Sequence, residues 1–227
     1  MKTIAKAKGL ELRAQTRNEG NEEAIKGELY IYGDIVSEEW FESDVSASGF
    51  VAALGSLDAD SLDVFINSGG GSVFDGVAIY TALSRHKAHV SVTVDGLAAS
   101  IASVIAMAGD KVTMAENATM MIHDPWTVAV GNSSDMRKQA DVLDIVKDSM
   151  IGAYKRSSLS EQEIRDAMTA ETWYTAESAV AAGFADGLSA PNKMAASIKV
   201  PKDLFQHTPK EFIQKQEGIT MPDKTES

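Results

Sequence analysis

The 227-residue chain contains no cysteine, which excludes disulfides, a thiolate nucleophile and a cysteine-ligated zinc site. It has no run of about 18 apolar residues, the length of a helical membrane span. Its start, Met1 to Arg13, interleaves lysines with short apolar pieces and lacks the apolar core of a secretory signal. These absences fit a cytoplasmic protein. Positive charge is outnumbered, with 21 Lys and Arg against 33 Asp and Glu and a net charge of −12. Such a surface repels phosphate backbones and anionic lipid, so neither nucleic acid nor membrane is an expected partner. Proline is scarce and unevenly placed, with only Pro125 before residue 190. What is present is ordinary for a globular chain, at 44% hydrophobic and 24% charged residues. A chain of this length buries roughly 70% of its unfolded surface, enough for one α/β domain with tails.

Three regions follow. Residues 1–26 are charged and carry the turn-rich stretch Arg17-Asn18-Glu19-Gly20-Asn21, which reads as a mobile or peripheral arm. Residues 190–227 are polar and hold the remaining prolines, a tail or linker with little core of its own. Between them, in 27–189, strand and helix patterns alternate. Leu29–Tyr32, Leu62–Asn67 and the alternating Val90, Val92 and Val94 predict strands. A short helix is predicted from Phe50 to Leu54, and another follows Ser72. Ala99–Ala108 reads as a helix apolar on almost every side, hence buried. Lys111–Ala115 and Thr119–His123 read as two short strands. Repeated strand–helix units imply right-handed crossovers and a mainly parallel sheet flanked by helices. Ser134–Ser158 predicts one long amphipathic helix with a second apolar stripe through Val142 and Ile145. It either lies across the domain or forms an oligomer contact. Ser160 with Glu163 predicts a capping box, and Thr175 the N-cap of a helix that stops at Gly183.

Three places carry chemistry. In Gly96-Leu97-Ala98-Ala99-Ser100 a serine stands at the first turn of the buried helix, where backbone N–H groups are unpaired. The N–H of Ile101 would face an oxyanion formed by attack of that hydroxyl. In Met121-Ile122-His123-Asp124-Pro125 a histidine follows an apolar strand; His86, His89 and His207 lie on a turn or in the tail. A Ser100–His123 pair is the minimum of an activated-nucleophile site. Ile66-Asn67-Ser68-Gly69-Gly70-Gly71 is either a tight turn or a nest of backbone N–H groups. It is neither a Walker loop nor a dinucleotide fingerprint. Asp95, Asp124, Glu171 and Asp186 are all candidates to orient the histidine, and spacing does not choose among them. Trp126 and Val128 are candidate walls of a side-chain pocket.

Taken together, these motifs and their order resemble the ClpP peptidase family over about Gly27 to Leu188. The family's I-N-S-P-G-G is similar to Ile66–Gly71, with Gly69 in place of proline; its G-x-A-A-S is Gly96–Ser100; its M-I-H-x-P is Met121–Pro125. Its third motif aligns Glu171 with the triad aspartate, ahead of Ala176, Ala179-Val180, Gly183 and Asp186. The resemblance implies a ClpP/crotonase-like fold of ββα units with a handle helix. It implies a Ser100–His123–Glu171 triad, an oxyanion hole from Ile101 and Gly71 or Gly70, and a peptide rail at Gly69 to Gly71. It requires no metal or cofactor. It further implies protein or peptide substrates and stacked seven-membered rings built on the long helix. The Glu171–Ala179 wording and the long tail resemble most the phage and prophage branch that trims capsid and scaffold proteins during head maturation. The N-terminal arm does not match the axial loops of housekeeping members, so an unfoldase ATPase partner is not carried over. The rival expectations are a housekeeping-like proteolytic subunit, a crotonase-fold acyl-CoA enzyme and a non-catalytic assembly protein.

Overall fold

The computed structural model describes residues 2–7, 10–19, 22–41, 43–190, 205 and 207. The chain opens with β1 (Lys2–Ala7), β2 (Leu10–Glu19) and β3 (Glu22–Tyr32), joined as antiparallel neighbours. The segment read as an arm thus supplies strands at one edge of the sheet. A small parallel pair follows, β4 (Ile35–Val36) with β5 (Val45–Ser46), and then α1 (Ala47–Gly55), β6 (Ser61–Ser68), α2 (Val73–Ser84) and β7 (His89–Ala99). Next come α3 (Ile101–Ala106), β8 (Lys111–Ala115), β9 (Thr119–Ile122) and α4 (Ser133–Tyr154). The described fold closes with α5 (Glu161–Thr169), β10 (Thr172–Thr175), α6 (Ala176–Ala181) and β11 (Gly187–Ser189).

The main sheet runs β1-β2-β3-β6-β7-β8-β11, parallel from β3 onward, with β9 added to β7 and β10 to β9. Period-two alternation puts Leu62, Val64 and Ile66 of β6 beside Val90, Val92 and Val94 of β7, all 2% exposed or less. Each such side chain stabilises the fold by about 1.5–3 kcal/mol. The helices start where the sequence places caps. Ser46, Ser72, Ser160 and Thr175 each accept a backbone N–H from the first turn, and Ser160 with Glu163 forms the full capping box.

Two features of β7 position everything that follows. Between the Ile66–Val94 and Ser68–Ala98 pairs it bulges, with Asp95, Gly96 and Leu97 opposite Asn67 alone. Asn67 Oδ1 accepts the Leu97 N–H at 3.0 Å and braces the bulge. Beyond it β7 changes neighbour, pairing β8 through Ser91–Val94 but β9 through Leu97–Ala99. The expected helix from Ala99 to Ala108 is therefore corrected. Ala99 ends a strand, because its partner Met121 holds it in register, and α3 begins only at Ile101.

The long helix α4 does not lie across the domain. Only Met150, Ile151, Ala153 and Tyr154 near its end are buried, while Val142 and Ile145 are 44% and 70% exposed. Among the described residues no helix is long and apolar enough to cross a membrane.

Candidate active site

Ser100 occupies the single residue between β7 and α3, with φ 56° and ψ −131°. A non-glycine residue at positive φ costs on the order of 1–3 kcal/mol and persists only where its surroundings impose it. Here they do. The Ser100 N–H donates to Met121 O at 2.9 Å, and its carbonyl accepts from the Ser103 N–H at 3.0 Å and the Ser103 hydroxyl at 2.5 Å. Ser103, fully buried, in turn pairs with the buried Tyr154 hydroxyl at 2.7 Å. The last residue of α4 thus ties that helix to the serine turn. The sharp turn from strand to helix sets Ser100 in the wall of a cleft at the end of β7.

His123 lies one residue past β9. Pairing of Ala99 with Met121 sets the ends of β7 and β9 side by side, the positive-φ turn at Ser100 takes its side chain out of the strand alternation, and Ser100 Oγ stands 2.7 Å from His123 Nε2. On the other flank β10 runs antiparallel with Thr172 opposite Ile122, which brings the preceding residue, Glu171, beside His123. Glu171 is buried and, like Ser100, has positive φ, at 50°. Its Oε1 accepts the Trp173 Nε1–H at 3.3 Å and the His207 backbone N–H at 2.6 Å. Burial lowers the His123 pKa from its ordinary value, and the negative charges of Glu171 and then Asp124 push it back up without restoring it. The imidazole is consequently neutral at pH 7 and able to accept a proton.

The other three candidate carboxylates are engaged elsewhere. Asp95 Oδ2 accepts a hydrogen bond from the Tyr32 hydroxyl. Asp124 pairs with Lys147 of α4 at 2.7 Å. Asp186 accepts from the Val112 N–H at 2.6 Å and from Arg156 at 2.9 Å.

The glycine run approaches from β6. Gly70, at φ 98°, is pressed against the serine turn, and a Cβ there would stand 2.7 Å from Ala99 O and from Ser100 Cβ. Gly71, at φ 140°, abuts Ile35, with which it forms a parallel bridge. Only glycine meets both demands, a left-handed backbone and no side chain. The two glycines expected as alternative oxyanion donors differ. The Gly70 N–H is donated to Ser68 Oγ at 3.1 Å, whereas neither Gly71 nor Ile101 directs its N–H at an acceptor among the described residues. Gly69 has open space around its missing side chain, with Asp34 Oδ1 at 4.0 Å the nearest atom. A residue with a side chain fits there, consistent with proline at the matching position of the family motif.

Ser100, His123 and Gly69 to Gly71 open into one cleft, which Trp126 and Val128 also line. Four contributors were not legible in the sequence. Gly76 of α2 makes room for Ile101, Ser103 and Tyr154 brace the turn, and Phe205 lies edge-on to His123 with ring centres 5.6 Å apart. Nothing in local pattern marks these residues, since their partners are far along the chain.

A serine hydroxyl hydrogen-bonded to a buried neutral imidazole, on a strained turn at the end of the central strand β7, is the arrangement of a serine-type hydrolase. The profile of the Clp protease family matches residues 21–192, more than half of the chain. The chain is 38% identical over 111 residues to ATP-dependent Clp protease proteolytic subunit 1 of Prochlorococcus marinus (strain NATL2A), covering 46% of this chain and 57% of that relative. It is 35% identical over 159 residues to the ATP-dependent Clp protease proteolytic subunit of Leuconostoc citreum (strain KM20), covering 64% of this chain and 77% of the relative. The corresponding subunit of Deinococcus radiodurans is 33% identical over 147 residues, covering 62% and 72%. The chain belongs to the Clp protease family and, with it, to the serine-type peptidases.

Proposed function

We propose that this chain is a serine endopeptidase that hydrolyses peptide bonds through Ser100, His123 and Glu171. The observation that carries the reading is the 2.7 Å contact between Ser100 Oγ and a neutral, buried His123 Nε2. A substrate lies extended along Gly69 to Gly71 as an added strand. His123 Nε2 takes the Ser100 proton as Oγ attacks the scissile carbonyl carbon. The resulting oxyanion accepts from the N–H groups of Ile101 and Gly71. Glu171 stabilises the imidazolium and holds its orientation. The imidazolium then gives its proton to the leaving amine nitrogen, the C–N bond breaks, and an acyl-serine remains. Water gives a proton to His123 as it attacks the acyl carbon, the C–Oγ bond breaks, and His123 returns the proton to Ser100 Oγ. No metal or cofactor enters this route.

For setting and substrate we propose maturation of a phage or prophage head in the host cytoplasm, with capsid or scaffold protein as substrate. The support is the wording from Glu171 to Ala179 and the long tail after residue 190. The relatives, each an ATP-dependent Clp protease proteolytic subunit, support a second reading, a proteolytic subunit that acts with an ATPase. In both readings the unpartnered apolar stripe of α4 joins subunits into rings.

The test is labelling with a fluorophosphonate probe followed by intact mass, on this chain and on Ser100→Ala. One adduct on the native chain and none on the variant is expected; equal labelling of both sinks Ser100 as nucleophile. Degradation of a capsid or scaffold protein without nucleotide favours head maturation, and ATP-dependent degradation with an added unfoldase favours the second reading.

A further inference from the structure

The strands that carry Ser100 and His123 have two faces. Ala98, Met120 and Ile122 point into the main core, whereas Leu97, Ala99 and Met121 point the other way, into a second apolar cluster. That second face is covered by Phe205, 6% exposed, with Trp173 packed beside it. The Phe205 ring meets His123 edge-on at 5.6 Å and Trp173 edge-on at 5.7 Å. Two residues further on, the His207 N–H donates to Glu171 Oε1. Sequence composition assigns this segment to a polar tail, yet two of its residues touch two members of the proposed triad.

We infer that Phe205 and His207 are positioning residues of the catalytic site, Phe205 as the apolar wall beside the imidazole and His207 as the backbone anchor of the Glu171 carboxylate. The inference rests on the Ser100–His123–Glu171 reading and deepens it. A glutamate has one more rotatable bond than the aspartate of the family motif, so its carboxylate loses more freedom when held in one place. A charge-assisted bond from the His207 N–H, together with the Trp173 indole, supplies that restraint. An aromatic edge against the imidazole excludes water from one side and limits rotation of the ring. The charged and titratable groups facing His123 are Glu171 ahead of β10 and Asp124 with its Lys147 partner on α4, and Asp34 lines the same cleft.

The experiment compares the full chain with Phe205→Ala, Phe205→Leu, His207→Pro and His207→Ala, by fluorophosphonate labelling of Ser100 and by kcat/KM on a fluorogenic peptide across about pH 5 to 9. Phe205→Ala is expected to label roughly tenfold more slowly, the scale set by small misplacements of catalytic groups. Its acid limb moves to higher pH, because water reaches the imidazole and favours its charged form. Phe205→Leu, which keeps apolar cover, recovers the pH profile and most of the rate. His207→Pro removes the N–H donor and loses rate to a similar degree. His207→Ala, which keeps the donor, recovers most of it. A native chain labelled at Ser100 with all four variants indistinguishable from it overturns this inference alone. A native chain that does not label at Ser100 overturns the triad and the inference together.

Discussion

Gly76 of α2 and Ile101 of α3 pack so closely that a Cβ on Gly76 would stand 2.1 Å from Ile101 Cγ1. Ile101 follows the serine turn and carries one of the two N–H groups proposed to hold the oxyanion, so this contact sets how α3 sits behind Ser100. Gly76→Ala is expected to push the start of α3 outward. Overpacking of this kind costs about 1–3 kcal/mol. Urea unfolding measures that loss, and slower Ser100 labelling in the still-folded variant reports the displaced turn. An unchanged midpoint and labelling rate would remove Gly76 from the account.

Adjacent glycines should respond oppositely. Gly70→Ala places a Cβ 2.7 Å from Ala99 O at a backbone φ of 98°, and is expected to abolish peptidase activity and destabilise the domain. Gly69→Ala meets open space. It is expected to keep activity and to stabilise by about 0.4–1 kcal/mol through the unfolded chain. Thermal unfolding with a peptide assay on both variants checks the contrast.

The pH dependence follows from His123. Burial outweighs Glu171 and Asp124, so its folded pKa lies below the ordinary value of about 6.5. The neutral imidazole is the base, so kcat/KM climbs as pH rises through that lowered pKa and is level by pH 7. A rate still rising above pH 7.5 contradicts this assignment. The same shift bears on stability. The unfolded chain binds the proton at higher pH than the folded one, so stability is full above about pH 6.5 and declines as pH falls toward the folded pKa. His123→Gln is expected to flatten that decline in thermal unfolding.

Ile145, 70% exposed on the part of α4 that leaves the domain, is the proposed subunit contact. Ile145→Glu is expected to lower the assembly mass in sedimentation velocity. The subunit's own unfolding midpoint should hold, since exposed substitutions usually stay within about 0.5 kcal/mol. Unchanged assembly would move the interface off this stripe.

Much of this architecture was legible in one dimension. Alternating Val90, Val92 and Val94, the box of Ser160 with Glu163, and the cap at Thr175 are local signals, and the chain obeys them. Ala99 shows where local reading stops. A run of small apolar residues suits a buried helix or a buried strand equally, and pairing with Met121 decided for the strand.

The sequence by itself determined the family, the mainly parallel α/β plan and the identity of a candidate serine and histidine, because periodicity and short motifs are written in neighbouring residues. Spacing left four carboxylates open and the family motif pointed to Glu171; tertiary structure puts Glu171 beside the histidine and gives Asp95, Asp124 and Asp186 partners 23 to 74 residues away. It also shows that the Gly70 N–H is donated to Ser68 Oγ while the Gly71 N–H has no acceptor among the described residues, and that Phe205 lies against His123. Strand register carries residues distant in sequence to one point in space, and register is a property of the folded sheet rather than of any local stretch of chain.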